Sequence, residues 1–135
     1  MNRKRDLLRV SCKCAIFTPD GRRVLLADYG REGYGLPGGH IDSGESPDDA
    51  VRRELAEELG LEDIYCRRAD FFLHPNGKIV LGFVATLDDS VALMIQPEEI
   101  QGAVWCDVSD IQEGTVLVPS YKEFILKNVV SSAVA

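Results

Sequence analysis

The chain has 135 residues, with 22 acidic and 15 basic side chains for a formal net charge of −7, and 45% hydrophobic against 27% charged residues. That is the length of one domain, and a chain of this size buries roughly two-thirds of the surface it exposes when unfolded, enough for a core without disulfide or metal staples. The acidic balance disfavours nonspecific nucleic-acid binding, which rests on Lys and Arg neutralising phosphates; an anionic substrate would need a metal as intermediary.

The longest near-continuous apolar stretch, Ile79 to Ala85, is far short of the roughly 18 residues of a membrane span. Met1 to Arg9 carries basic residues as a signal peptide would, but Arg9 and Lys13 interrupt any apolar region that could follow, so a cytoplasmic protein is expected. Cys12, Cys14, Cys66 and Cys106 show no CxxC spacing and read as buried reduced thiols, with Cys12 and Cys14 on one face of a strand.

Cys12 to Thr18 and Arg23 to Asp28 are apolar-rich runs flanking Pro19-Asp20-Gly21, which predicts a β-hairpin. Tyr29 to Gly44 holds six glycines and a proline, too many for a regular element, and is expected to be a functional loop that lets backbone approach a ligand. Ser46 as N-cap, Pro47 at the first helical position, and Asp48 and Asp49 in the positive first turn start a helix that Gly60 ends. Ile64 to His74 and Lys78 to Leu87 are β-rich runs joined by Pro75-Asn76-Gly77, a second hairpin, and Ala103 to Val108 is a shorter strand. Pro119 to Val130 forms a last helix with Phe124, Ile125, Val129 and Val130 on one stripe, and a small-residue tail, Ser131 to Ala135, is expected to fray. The order of strands, helix, strands and helix predicts a mixed sheet with helices on its faces, an α/β protein.

The helix from Pro47 to Leu59 carries the chemistry. At about 100° per residue, Glu54, Glu57 and Glu58 fall within an arc of roughly 100°. Val51, Leu55 and Leu59 form a neighbouring apolar stripe, while Asp49, Arg52 and Ala56 face away. Like charges three and four apart repel by a few tenths of a kcal/mol on an exposed helix, and a divalent cation removes that repulsion. Oxygen-only ligands suit a hard ion such as Mg²⁺ or Mn²⁺. A solvated acidic face, with Arg53 paired to Glu57, is the alternative.

Gly39, Glu45 and the run Arg53-Glu54-Leu55-Ala56-Glu57-Glu58-Leu59-Gly60-Leu61 stand at the spacing G-x5-E-x7-R-E-U-x-E-E-x-G-U, U being a bulky aliphatic. This segment, residues 39–61, resembles the Nudix box at every fixed position, and Tyr34-Gly35-Leu36-Pro37-Gly38-Gly39 is similar to the entry that precedes it in that family. The resemblance implies one Nudix domain over residues 1–135, an α/β/α sandwich with a mixed sheet between helices, and metal-dependent hydrolysis of a nucleoside diphosphate linked to a group X. It implies Glu57 and Glu58 as ligands of Mg²⁺ or Mn²⁺ with the Gly39 carbonyl, Glu54 as a further ligand or the general base, and Arg53 orienting the acids through Glu45. An Arg53 pair with Glu57 fits the residues equally well. Glu98 or Glu99, upstream of Trp105, is a further ligand or base by the same resemblance; following Pro97, both read equally as a solvated loop pair.

Nothing comparable defines X. Tyr34, Arg23 and Phe72 are candidate substrate contacts; Tyr29, Phe71 and His74 could join a stacking surface, though strand aromatics are more often core, and Arg22 and Arg31 could steer phosphates. His40 shapes the site rather than ligating. The length favours a small enzyme acting on nucleoside triphosphates, damaged or noncanonical ones included. The alternatives are a hydrolase of ADP-ribose, nucleotide sugars or dinucleoside polyphosphates, and a nucleotide-binding module without catalysis. The expected partner is a small nucleotide-type molecule, with no nucleic acid and no membrane, and a homodimer is compatible with the family.

Overall fold

The computed structural model describes residues 9–114 and 117–134, with side chains described to residue 129. Seven strands, β1 (Val10–Phe17), β2 (Arg23–Asp28), β3 (Tyr34–Gly35), β4 (Gly38–His40), β5 (Arg67–Leu73), β6 (Ile79–Thr86) and β7 (Gly102–Asp107), form one mixed sheet with path β3-β2-β1-β6-β5. β4 pairs with β1, and β7 with β2. β1 and β6 run parallel from Val10↔Ile79 to Phe17↔Thr86, while the other pairs are antiparallel. The helices are α1 (Pro47–Leu59), α2 (Val108–Gln112) and α3 (Pro119–Val134).

The period of two along β1 sends Cys12, Cys14 and Ile16 to one face, where they pack with Val51, Leu55 and Leu59 of α1. Ala15 and Phe17 go to the other face, against Ile111 of α2 and Tyr121, Phe124 and Ile125 of α3. The result is the α/β/α sandwich with a mixed sheet. Among the described residues no helix is long and apolar enough to cross a membrane.

Both hairpins form where the turn residues place them: β1 pairs with β2 across Pro19-Asp20-Gly21, and β5 with β6 across Pro75-Asn76-Gly77. α1 also keeps its predicted ends. Ser46 accepts the Asp49 amide at 3.1 Å, and Gly60 closes the helix in the left-handed region with φ 69°.

Five expectations change. The stretch from Tyr29 to Gly44 is not only loop: β3 and β4 lie within it, because Gly38 and Gly39 pair with Lys13 and Cys12 and need no β propensity of their own once the neighbouring strand supplies the ladder. Ile64–Cys66 precede β5, which begins at Arg67, and Val108 opens α2 instead of ending β7. α3 is helical past Ser131 through Val134, since the sequence there contains no helix breaker, and Ala135 lies outside the described residues. Cys12 and Cys14 are buried, but Cys66 and Cys106 are only half-buried; all four are free thiols.

Candidate active site

α1 lies against β4, and its acidic face meets the Gly38–Gly39 backbone. A Cβ on Gly39 would stand 2.6 Å from Glu54 Cδ and 2.7 Å from both its carboxylate oxygens, so only glycine admits the acid there. Glu54 is nearly buried, and burial raises its pKa, with the Arg53 charge pulling the other way.

Arg53 uses its whole donor fork within the cluster. Nε and Nη2 grip Glu45 at 2.7 and 3.0 Å, Nη2 also reaches the His40 carbonyl at 3.1 Å, and Nη1 donates to Glu54 at 3.1 Å and to Glu57 at 3.2 Å. The Glu45 and Glu57 pairings, open alternatives in the sequence, coexist. The bond from Arg53 holds the Glu45 carboxyl below the usual carboxylate range.

Among the described residues, Glu54, Glu57 and Glu99 each offer a carboxylate oxygen within 4.8 Å of the others. Glu99 comes from the turn after Pro97, and the helix places it. At the C-terminal end of α1, the orphan carbonyls of Leu59 and Glu58 accept the amides of Met94 and Gln96 at 2.9 and 3.2 Å. Buried Ile100 and the 2.8 Å bond from the Gln101 amide to the Asp28 carbonyl then lock the segment beside the acids. Glu98, its neighbour, is exposed and outside the group.

Glu58 stands apart from these three. It is 3% exposed, and it accepts the Gly38 amide at 2.9 Å and the Tyr29 hydroxyl at 3.2 Å. Burial pushes its pKa up to about 7. The Gly39 carbonyl receives the Cys12 thiol at 3.4 Å and keeps a second lone pair. The donor set is oxygen only and three carboxylates deep, which fits a hard divalent cation and not zinc.

A cleft of about 510 Å³ opens beside β4, lined by Lys13, Tyr29, Tyr34, His40, His74 and Tyr121 among others. Sequence reasoning missed Lys13. Its ammonium donates to the Tyr29 hydroxyl and the Gly38 carbonyl, both at 3.2 Å, and lies 4.6 Å from the centre of the Tyr29 ring. Burial lowers its pKa. The available signal was a charged residue inside the apolar run of β1, pointing opposite to Cys12 and Cys14.

Tyr34 stands at this cleft, 40% exposed. The other two predicted substrate contacts do not. Arg23 is engaged by Asp89 at 3.2 Å and Asp107 at 3.1 Å. Phe72 packs its ring 5.1 Å from Phe124 and 5.9 Å from Tyr121, in the core under α3. His74, given little weight in the sequence, lines the cleft with its ring 5.4 Å from that of Tyr121.

Comparison with known proteins gives the chain its family. The mouse mitochondrial NAD(P)H pyrophosphatase NUDT13 is 30% identical over 98 residues, covering 68% of this chain and 28% of that protein. The NAD-capped RNA hydrolase NudC of Pseudomonas syringae pv. syringae is 31% identical over 108 residues, covering 76% of this chain and 38% of that protein. The chain thus spans well under half the length of either relative. The structure of the E. coli dihydroneopterin triphosphate pyrophosphohydrolase superposes with a TM-score of 0.74 at 18% identity, covering 93% of this chain and 99% of that one, a likeness of fold. The family model described as NUDIX domain matches residues 7–127, taking in β4, α1 and the turn that carries Glu99, and the chain therefore belongs to the Nudix family.

Proposed function

We propose that this chain is a divalent-cation-dependent pyrophosphohydrolase that cleaves a nucleoside diphosphate linked to a further group X. The observation that carries the reading is the convergence of Glu54, Glu57 and Glu99, one oxygen from each within 4.8 Å, around a spot that only a glycine at position 39 leaves open. Glu57 and Glu99 would hold Mg²⁺ or Mn²⁺ with the Gly39 carbonyl, leaving Glu54 beside the ion for its coordinated water. Such an ion, when bound, neutralises charge developing on the phosphoryl oxygens and acidifies a coordinated water.

The chain's own residues do the rest. Arg53 fixes the rotamers of Glu45, Glu54 and Glu57 at once, so the acids are in position before substrate arrives. Glu54, nearly buried and with a raised pKa, is the carboxylate suited to accept the proton of the attacking water. Tyr34 offers an exposed ring at the rim of the cleft to a base.

Nucleoside triphosphates, damaged or noncanonical ones included, are the first substrate class. Dinucleotides of the NAD type are the second, favoured by the named activities of the mouse and Pseudomonas relatives. Turnover of both classes with and without Mg²⁺, beside Glu57→Gln, tests the reading. Metal-dependent hydrolysis lost in the variant supports it, and the products identify X: pyrophosphate with a monophosphate, or two organic phosphates. Ligand binding with no hydrolysis of any panel member would overturn it in favour of a binding module.

A further inference from the structure

The chain carries a net charge of −7, yet the cleft beside β4 is lined by Lys13, Lys78, His40 and His74 against a single acid, Glu32. The two lysines of this wall outnumber its one acid, a local excess that runs against the charge of the whole molecule and is the pattern expected where an anion is received.

Within that wall Lys13 is placed differently from a surface lysine. It is half-buried on β1, and among the described residues no carboxylate lies within salt-bridge distance of it, whereas Lys127 is paired with Asp70 at 2.6 Å. Its two acceptors, the Tyr29 hydroxyl and the Gly38 carbonyl, are neutral. An ammonium has three N–H donors, so one is left for a ligand in the cleft. The same Tyr29 hydroxyl lies 3.2 Å from Glu58 on α1, so an anion held by Lys13 sits at the strand that also backs the acidic cluster. Holding a desolvated cation with no carboxylate in contact is costly; the Glu58 charge behind Tyr29 offsets part of that cost, and an incoming anion offsets more.

We infer that Lys13 is the residue of this cleft that reads the phosphate of the substrate, donating its remaining N–H to a phosphate oxygen. The inference takes its substrate class from the pyrophosphohydrolase reading, but it concerns binding and holds whether or not the bound nucleotide is cleaved. Lys13 and Glu58 could instead serve only as mutual counter-charges through Tyr29, and the test separates the two roles.

The probes are ADP and adenosine, titrated calorimetrically in EDTA against wild type and Lys13→Met. The expected result is that wild type binds ADP more tightly than adenosine, and that Lys13→Met weakens ADP about tenfold, the worth of one charge-assisted hydrogen bond, while adenosine affinity stays unchanged. A variant that loses stability but keeps the ADP preference would overturn the inference in favour of the counter-charge role. An equal loss for both probes, or a wild type that binds ADP no more tightly than adenosine, would overturn it as well. If Lys13→Met does not fold, the Lys13 Nζ resonance of the wild type decides: it must move on titration with inorganic pyrophosphate, and a stationary signal refutes the assignment. Failure of the hydrolase reading shows separately, as ADP binding with no Mg²⁺-dependent turnover of any substrate.

Discussion

Glu58 makes the stability of the metal-free protein fall as pH rises from acid to neutral. Its side chain is 3% exposed, and burial raises its pKa from 4.5 to about 7, against the opposing pull of the Gly38 amide, the Lys13 charge and the Tyr29 hydroxyl. Below 4.5 the carboxyl is protonated in both states; between 4.5 and about 7 the unfolded chain has lost a proton that the folded chain still holds. The folded state then binds more protons, so the free energy of unfolding decreases with pH across that window. At about 1.36 kcal/mol per pKa unit the loss reaches about 3 kcal/mol above the window, or about 10 °C in Tm for a chain of this size.

Other groups titrate nearby and must be separated. Glu54, also raised by burial, acts in the same direction. His40, lowered by burial, acts in the opposite one, because there the unfolded chain holds the extra proton. Glu45, Asp48 and Asp70 are held low by hydrogen bonds from Arg53, Arg68 and Lys127, and their contributions are lost only in more acid solution. The difference between wild type and Glu58→Gln therefore isolates Glu58, since the glutamine oxygen can still accept the Gly38 amide. Urea unfolding in EDTA at stepped pH should give curves that meet near pH ~4 and part by about 3 kcal/mol near pH ~8, with the variant the more stable. Parallel curves, or a variant less stable at the alkaline end, would refute the reasoning.

Adjacent glycines should fail in different ways. Alanine at Gly38, where φ is 138° and a Cβ would stand 2.0 Å from the Cys12 carbonyl oxygen, must push β4 off β1 and cost on the order of 3 kcal/mol in denaturant unfolding. A Cβ at Gly39 meets the Glu54 carboxyl first, the far end of a side chain, so Gly39→Ala should shift Tm little while Mg²⁺ affinity, read by calorimetry, falls by about tenfold or more; equal destabilisation by both would contradict the distinction. Glu99→Gln should weaken Mg²⁺ binding and Glu98→Gln should not; the reverse order would pass the role to Glu98, and no effect of either would remove the Pro97 turn from the site. Arg53→Lys keeps the charge but not the planar fork, and turnover should drop on the order of 100-fold with near-normal Tm; full activity would show that charge alone suffices. A Cβ at Gly82 would stand 2.5 Å from the Phe124 ring and 2.7 Å from the Asp70 carbonyl, so Gly82→Ala should lower stability by about 1–3 kcal/mol and leave turnover per folded molecule unchanged.

What was legible in the sequence divides along a physical line. α1 and the two hairpins were readable because their determinants are local: Ser46 and Gly60 at the ends of one helix, Pro-Asp-Gly and Pro-Asn-Gly between alternating runs. β4 was not, since Gly38 and Gly39 have no side chains to show a period, and their extended backbone depends on pairing with β1. The β1–β6 ladder joins Val10 to Ile79, and no local pattern specifies a parallel partner so far along the chain.

The same line runs through the site. Glu54, Glu57 and Arg53 share one helix, so counting residues places them together. The burial that turns Glu58 inward toward Gly38 and Tyr29 comes from β4 and from the chain leaving β2, neither of which a helical wheel contains. Glu99 arrives because the amides of Met94 and Gln96 satisfy the last carbonyls of α1, a backbone requirement that any residue type can meet, so the residues themselves do not choose between Glu98 and Glu99, which the family resemblance singles out only as a pair. Lys13 is the intermediate case. Its place in an apolar strand was visible, but its meaning required knowing that β4 and the Tyr29 hydroxyl would deny it a carboxylate and leave it facing the cleft. The acids of α1, Glu54 and Glu57, are thus written into one helix and read from it, whereas Glu99 and the cleft, which is assembled from five separate segments, the β1 strand, Tyr29, Tyr34, His74 and α3, belong to the fold.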